Sequence, residues 1–205
     1  LWNYRDLEPK GELKGHTDRV NELRMTPDGR YIISGSNDDT VKVWDTITGH
    51  CIADFNKHTA DVVCVDISLD GKTGVSGGYD NAIYVWDIPG KKCIKAFEGI
   101  DDPGYAVKLS TDKKLLFSGG GYVDRSVKVW DLESGLCIKT LYGHEYAINW
   151  RETTHDGKFL VSASMDRMIK VWNLKTFTCT RTIEGHVGPV VSLKVTPDLK
   201  YIISG

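Results

Sequence analysis

The segment SVKVWDLESGLCIKTLYGH, residues 126–144, is the clearest indication of the fold, because parts of it recur along the sequence. It contains Trp130-Asp131 and ends in Gly143-His144, a combination that could belong to an active site or to a scaffold. Its segment VKVWD recurs as VKVWD at 41–45, IYVWD at 83–87 and IKVWN at 169–173. The tryptophans of these four segments lie 42, 44 and 42 residues apart, so the sequence is built from repeats of this length.

Two further landmarks keep the register of the tryptophans. The first lies fourteen residues after Trp2 and after each later repeat tryptophan, and it is His16, His58, Ile100, His144 and His186. The second follows eighteen residues later and is Ser34, Ser76, Ser118, Ser162 and Ser204. Four of the five cysteines, Cys51, Cys93, Cys137 and Cys179, each follow their tryptophan by seven residues. They therefore fall in different repeats, and we expect reduced, mostly buried thiols without disulfides.

Each repeat reads as short strands separated by turn signals. In the first repeat the strand-like segments are VNELRMT (20–26), YIISGS (31–36), TVKVWD (40–45) and CIADF (51–55). They are rich in residues that suit half-buried strands, and sequences such as PDGR separate them. Because no segment shows a long helical periodicity, we expect an all-β chain with almost no helix.

Four strands every 42 residues, with Gly-His and Trp-Asp landmarks, resemble the WD-repeat family of β-propellers. The resemblance covers essentially the whole chain. It implies one propeller domain over 1–205, built from four-stranded antiparallel blades whose strands are named a to d from the channel outward. Four complete blades are expected at about 17–56, 59–98, 101–142 and 145–184, with partial blades at 1–15 and 187–205.

Two ring sizes fit this pattern. Gly205 matches Gly35 and Leu1 matches Val43, so the two ends could combine into a fifth blade with one strand missing and an exposed edge. We expect instead a fragment of a larger propeller, most often seven-bladed in the resembling family. The chain begins with Leu1 and not with Met, and YIISG (201–205) stops inside a strand.

Composition and charge restrict the possible functions. The chain is 40% hydrophobic and 26% charged, as globular proteins are, and no apolar run suits a membrane span or a signal peptide. We therefore expect an intracellular protein, cytoplasmic or nuclear, without membrane insertion. The net charge of −2 argues against a general nucleic-acid surface. No metal-ligand cluster or phosphate-binding loop stands out, so we expect no metal and no cofactor.

A Ser, a His and an Asp at fixed spacing invite comparison with nucleophilic catalysis. The sets recur in three repeats, however, and an enzyme needs one site and not a copy in every blade. The resemblance implies that each set, together with the tryptophan, forms a structural hydrogen-bonded tetrad. The expected tetrads are His16, Ser34, Asp38 and Trp44; His58, Ser76, Asp80 and Trp86; and His144, Ser162, Asp166 and Trp172.

The third blade departs from the pattern. Ile100 occupies the histidine position, and the segment SGGGYVDRS (118–126) carries two extra residues before Trp130, although Asp124 remains. One interpretation is drift, which neighbouring blades tolerate by packing on both sides. The other is a modified rim of a binding surface.

In the resembling family, partners mostly bind the face that carries the d–a and b–c loops. The resemblance implies that the exposed positions of this face, carried over to this chain, are Arg19, Asn21, Asn37, Asp61, Val63, Tyr79, Pro103, Tyr105, Val123, Ala147, Asn149, Met165, Pro189 and Val191. The aromatic and apolar members suit protein recognition. Only Arg19 is basic, which disfavours phosphopeptide binding, although Arg125 and Arg167 could add charge nearby.

Arg151 is a second irregularity, because it occupies a strand a position where the first repeat has Leu23. Either its side chain reaches water in the channel, or it forms a site there together with Trp150.

These observations favour a non-enzymatic scaffold that binds partner proteins in a multi-protein complex, with no catalytic residues and no small-molecule substrate. The alternatives are an enzyme that uses the central channel and a propeller that binds RNA or a small ligand. A pocket with convergent carboxylates or histidines at the channel mouth would favour the enzyme, and the sequence does not indicate one. A contiguous basic patch would favour RNA.

Overall fold

The structure is a computed structural model that describes residues 11–97, 100 and 106–205, without the side chains of Trp150 and Arg151. The described residues form eighteen β-strands. The first eight are β1 Val20–Met25, β2 Tyr31–Ser36, β3 Val41–Asp45, β4 Cys51–Phe55, β5 Val62–Ile67, β6 Thr73–Gly78, β7 Ile83–Asp87 and β8 Lys92–Phe97. The next eight are β9 Ala106–Leu109, β10 Leu115–Gly119, β11 Val127–Asp131, β12 Cys137–Leu141, β13 Ile148–Thr153, β14 Phe159–Ser164, β15 Ile169–Asn173 and β16 Thr178–Ile183. The last two are β17 Leu193–Val195 and β18 Ile202–Ser204.

Each group of four consecutive strands forms one antiparallel sheet in chain order, and β17 pairs with β18. The four complete sheets span 20–55, 62–97, 106–141 and 148–183. The all-β prediction is confirmed, and no helix occurs among the described residues. Whether the ring has five blades or seven stays a prediction.

The regular spacing of the tryptophans and cysteines corresponds to a repeated pairing between strands c and d. A β-bulge precedes the tryptophan in every four-stranded sheet, and each tryptophan pairs with the cysteine seven residues later. All described cysteines are free; Cys51, Cys137 and Cys179 are exposed, Cys93 is half-buried and Cys64 is buried. The prediction of mostly buried thiols is wrong for the three exposed ones, because strand d lies at the outer edge of its sheet.

Successive sheets pack face to face through apolar side chains. Ile33 and Val43 of the first sheet and Val62 and Val65 of the second are all 0% exposed and belong to one cluster. Gly35 on β2 permits this close approach, because a Cβ there would lie 2.6 Å from Cγ1 of Val62. Burying each aliphatic side chain contributes about 1.5–3 kcal/mol relative to its exposure, so these layers hold the sheets together.

The first strands of successive sheets lie side by side, from β1 through β5, β9 and β13 to β17. A cavity of about 400 Å³ opens between their ends at the a–b turns. Because antiparallel strands alternate in direction, the a–b and c–d turns lie at one end of each sheet and the d–a and b–c loops lie at the other. We call the end with the d–a and b–c loops the loop face.

Candidate functional site

The first tetrad is a continuous chain of hydrogen bonds. Trp44 Nε1 donates to Ser34 Oγ at 2.8 Å, and Ser34 Oγ lies 2.7 Å from His16 Nε2. His16 Nδ1 lies 2.8 Å from Asp38 Oδ2, which also accepts the backbone N–H of Thr17 at 2.9 Å. With a neutral imidazole protonated on Nδ1, every group in the chain has a donor or an acceptor to match.

The same arrangement recurs in two further sheets. The distances from His Nε2 to Ser Oγ and from His Nδ1 to the nearer Asp oxygen are 2.7 and 2.9 Å for His58, Ser76 and Asp80, and 2.8 and 2.7 Å for His144, Ser162 and Asp166. Trp86 and Trp172 donate to their serines at 2.8 Å. Each chain therefore connects a d–a loop to strands b and c of its sheet.

Burial and hydrogen bonds shift the pKa values of side chains in these tetrads. It lowers the pKa of the His58 and His144 imidazoles below 6.5, although Asp80 and Asp166 favour the charged form. For Asp38, burial opposes ionisation, but the hydrogen bonds from Thr40, Thr17 and His16 together lower the pKa of the carboxyl. The imidazoles of His58 and His144 are thus held neutral at neutral pH.

The serines in these chains are poorly placed for nucleophilic attack. Ser76 and Ser162 are 0% exposed and Ser34 is 4% exposed, so a substrate cannot reach Oγ. Each hydroxyl already accepts from a tryptophan and lies against a histidine. This geometry suits a fixed structural connection and not covalent catalysis.

In the third sheet only half of this hydrogen-bonded tetrad is present. Trp130 Nε1 donates to Ser118 Oγ at 2.8 Å, but the histidine position holds Ile100, which is 5% exposed. Asp124 pairs instead with Lys128 Nζ and accepts the hydroxyl of Ser126 at 2.6 Å. The turn aspartate of this sheet thus contacts its own turn and Lys128 of strand c.

The positions carried over to the loop face differ in exposure. Arg19, Tyr79, Val123, Pro189 and Val191 are exposed; Asn21, Asn37, Asp61, Val63, Asn149 and Met165 are half-buried; Ala147 is buried; and Pro103 and Tyr105 lie outside the described residues. The expectation that every position is exposed is wrong for Ala147, which is 1% exposed because it packs directly before β13.

Two of the half-buried asparagines connect adjacent sheets. Asn21 Nδ2 donates to Val62 O at 2.9 Å, and Asn149 Nδ2 donates to Val190 O at 3.4 Å. Their amide groups are therefore engaged within the protein, and the strongly exposed positions are better placed to contact a partner.

Sequence reasoning missed a row of charges along the inner strands, which we call the charge belt. Its members occupy one position of strand a in successive sheets and alternate in sign: Arg24, Asp66, Lys108, Glu152 and Lys194. Their spacings of 42, 42, 44 and 42 residues match the repeat length. The signal was present in the sequence, and aligning the repeats at this column would have revealed it.

The charge belt joins neighbouring sheets through ion pairs. Lys108 Nζ lies 3.2 Å from a carboxylate oxygen of Asp66 and 3.2 Å from one of Glu152, and Lys194 Nζ lies 2.7 Å from Glu152. Burial opposes the charge on Lys108, but the two carboxylates raise the pKa of its amine. Asp66 also accepts the backbone N–H of Leu109 at 2.8 Å, so it satisfies an edge donor of the next inner strand.

The carboxylates of Asp66 and Glu152 converge at the cavity beside the a–b turns, which His155 also lines. The sequence did not indicate convergent carboxylates, and the structure places this pair at the cavity. Lys108 lies between the two carboxylates and compensates their charge, so the pair is an ion-pair network. The interpretations of Trp150 and Arg151 concern side chains outside the described part of the chain.

Neither a membrane-spanning helix nor a metal site is found in the described part of the chain. No helix there is long and apolar enough to cross a bilayer. Within the same residues, no group of three or more His, Cys, Asp or Glu side chains could hold a metal ion.

Four-stranded antiparallel sheets in sequential order, with inner strands side by side and a Trp-Ser-His-Asp chain in three of them, define a WD-repeat β-propeller. The chain belongs to the WD40 family (WD domain, G-beta repeat), whose model matches residues 7–45, 49–87, 91–131, 135–173 and 177–205. The first four matches end at the Trp-Asp or Trp-Asn pair, so one sequence repeat supplies strand d to one sheet and strands a to c to the next.

Curated relatives share parts of the chain. The Ribosome biogenesis protein BOP1 homolog of Drosophila ananassae is 46% identical over 67 residues, which are 30% of this chain and 8% of that protein. The Nuclear distribution protein PAC1 of Arthroderma otae is 31% identical over 161 residues, which are 73% of this chain and 34% of that protein. The chain therefore spans a minor part of the length of the curated relatives it matches.

Proposed function

We propose that this chain is a non-catalytic scaffold that binds partner proteins through its loop face, as part of a multi-protein complex. The observation that carries the proposal is the exposure of apolar and aromatic side chains there: Tyr79 is 47% exposed, Val123 is 76% exposed and Val191 is 58% exposed. Tyrosine is among the side chains that most often supply binding energy in protein interfaces, and exposed apolar side chains on the same face mark such a surface. Membership of the WD40 family supports the same role.

The tetrads and the charge belt support the non-catalytic part of the proposal. The buried serines of the tetrads are inaccessible to substrate, and the carboxylates at the cavity are compensated by lysines. An enzyme that uses the channel is the alternative. It would need one of these serines to become accessible or one of these carboxylates to lose its lysine partner. Binding of RNA or of a small ligand is a further alternative, and the cations of the inner strands are paired with carboxylates, which leaves little net positive charge for it.

The relatives favour a location inside the cell. Their names refer to ribosome biogenesis and to nuclear distribution. We therefore propose a cytoplasmic or nuclear protein, with proteins as partners and without a cofactor.

Affinity capture with the intact chain tests this function. We expect the double variant Tyr79→Ala, Tyr105→Ala to lose partners that the wild type retains, because truncating an aromatic anchor weakens binding by about tenfold or more. The matched control is Ile47→Ala, Leu136→Ala, which removes two side chains that are 75% and 66% exposed in c–d turns at the opposite end. If the first variant keeps every partner, the loop face is not the binding surface.

A further inference from the structure

The b–c loop of the third sheet is the longest of the four described b–c loops, and it presents two large side chains to solvent. It has seven residues, 120–126, against four in each of the other complete sheets, and the spacing from Ser118 to Trp130 is two residues longer than its counterparts. Tyr122 is 53% exposed and Val123 is 76% exposed. Exposed aromatic and aliphatic side chains next to each other on a loop are typical of recognition surfaces.

Internal contacts hold this loop in one conformation. Asp124 accepts the hydroxyl of Ser126 and pairs with Lys128, and Gly120 leaves room for it, since a Cβ there would lie 2.8 Å from Cβ of Asp124. Arg125 adopts a left-handed backbone conformation with φ of 53°, and its Nε donates to Tyr122 O at 3.0 Å. A loop fixed in this way loses little conformational entropy when it binds a partner.

The guanidinium of Arg125 reaches the neighbouring sheet. Its central carbon lies 5.7 Å from the centre of the Tyr146 ring, a side chain that is 54% exposed in the loop before β13. Within the described part of the chain, Arg125 is exposed and forms no salt bridge with a carboxylate. The charge is thus placed over an aromatic ring, with donors available to an incoming acceptor.

We propose that Tyr122, Val123, Arg125 and Tyr146 form a docking site, the Arg125 site, for a protein segment that places a carboxylate beside an aromatic or aliphatic side chain. The carboxylate would accept from the guanidinium, and the apolar side chain would pack on the two exposed rings and on Val123. A basic segment is repelled by Arg125. The proposal rests on the proposed function, since it names the partner chemistry of one part of the loop face.

Selection of random nonapeptides displayed on phage, with the 205-residue chain as bait, tests the proposal. We expect the selected peptides to contain Asp or Glu next to Phe, Trp, Tyr or Leu. Their synthetic, fluorescein-labelled forms are then titrated with the variants by fluorescence anisotropy. Arg125→Gln and Tyr146→Ala should each weaken binding by about tenfold, and Arg125→Lys should weaken it less because the charge is kept.

Arg167→Gln is the matched control. Arg167 occupies the equivalent turn position of the fourth sheet, also in a left-handed conformation with φ of 71°, and among the described residues no aromatic ring lies against its guanidinium. This variant should leave the affinity unchanged, and the thermal midpoints of the Arg125→Gln and Arg167→Gln variants show whether both fold alike.

Three results would overturn the Arg125 site: no enriched peptide, enriched peptides without an acidic residue, or peptides that bind Arg125→Gln as tightly as the wild type. If those peptides are weakened by Tyr79→Ala and not by Arg125→Gln, the loop face stands and only the Arg125 site is refuted. If peptides are lost only through Ile47→Ala or Leu136→Ala, at the opposite end, the proposed function is refuted as well.

Discussion

At the scale of single residues, His144 shows how polar groups are buried in this protein. It is 7% exposed, yet both of its ring nitrogens lie within hydrogen-bonding distance of a partner, Ser162 on one side and Asp166 on the other. Burying such a group without partners is costly, whereas a complete network fixes the position of the loop that carries it.

Removing the imidazole should therefore destabilise the fold. We expect His144→Ala to cost roughly 1–3 kcal/mol, because Ser162 and Asp166 lose a partner in a buried place. For a chain of this size that lowers the thermal midpoint by about 2–4 °C for each kcal/mol. His155→Ala is the control, since His155 is exposed and should leave the midpoint unchanged. An unchanged midpoint for His144→Ala would refute the structural role of the tetrad.

The depressed pKa values of His58 and His144 predict a pH dependence. Near pH 6.5 the unfolded chain takes up protons on these imidazoles, whereas the folded chain does so only at lower pH. The unfolded state then binds more protons, so the stability present above about pH 6.5 decreases as the pH falls toward the folded pKa values.

The thermal midpoint should accordingly fall in this range. Asp166 titrates at lower pH, because burial opposes its ionisation but the hydrogen bonds it accepts hold the pKa of its carboxyl below the usual value of 3.8. The variant His58→Asn, His144→Asn should show a smaller slope over the same range, although it starts from a lower midpoint. Equal slopes for the wild type and the variant would show that other groups cause the pH dependence.

Residue roles were only partly predictable from the sequence. The spacing of His16, Ser34 and Trp44 was sufficient to select the side chains that lie together, because the repeat fixes their register. Exposure was less predictable: Arg19 and Ala147 each lie three residues after their landmark histidine, yet Arg19 is exposed and Ala147 is only 1% exposed. Exposure depends on how the next sheet packs, which spacing alone does not encode.

At the scale of elements, the inner strands combine apolar packing with the charge belt. Val65 on β5 is fully buried against the neighbouring sheet, while Asp66 beside it points to the channel and pairs with Lys108 of the next inner strand. Alternation along the strand separates the two roles. Because the sign of the charge alternates from sheet to sheet, each carboxylate of the belt pairs with a cation on a neighbouring sheet.

Breaking the charge belt at its centre should be costly. Lys108→Met leaves Asp66 and Glu152 without the amine between them, and removing one partner of a buried ion pair costs roughly 3–5 kcal/mol. Lys113→Met is the control, because it removes a 2.7 Å ion pair with Asp70 in which both side chains are about 40% exposed. We expect a large decrease in the urea midpoint for the first variant and almost none for the second. Similar decreases would mean that the belt adds nothing beyond surface pairing.

Strand positions followed from the sequence better than strand pairing did. VKVWD and its copies all form strand c, since Val, Trp and turn residues at fixed spacing leave little choice. The bulge before Trp44, which brings Cys51 opposite it, was not predicted. A bulge depends on the twist of the whole sheet, and no residue type at this position announces it.

At the scale of the whole molecule, the repeat predicted the architecture, but it did not predict which part of the surface binds a partner. The landmarks hold the sheets in one arrangement, and family membership confirms it. The burial of a side chain on strand a depends on the neighbouring sheet. Leu23 of the first sheet is 56% exposed, whereas Val65, at the same position of the second sheet, is buried by its neighbour. The seven-bladed ring stays a prediction, which the complete reading frame decides.

Hydrogen–deuterium exchange of the chain, measured with and without a captured partner, shows whether partners bind the loop face. The proposal predicts slower exchange of amides in d–a and b–c loops, such as 56–61 and 120–126, when the partner is bound. It predicts no change in a–b and c–d turns, such as 27–30 and 132–136. Protection confined to those turns, with the loops of the loop face unchanged, would contradict it.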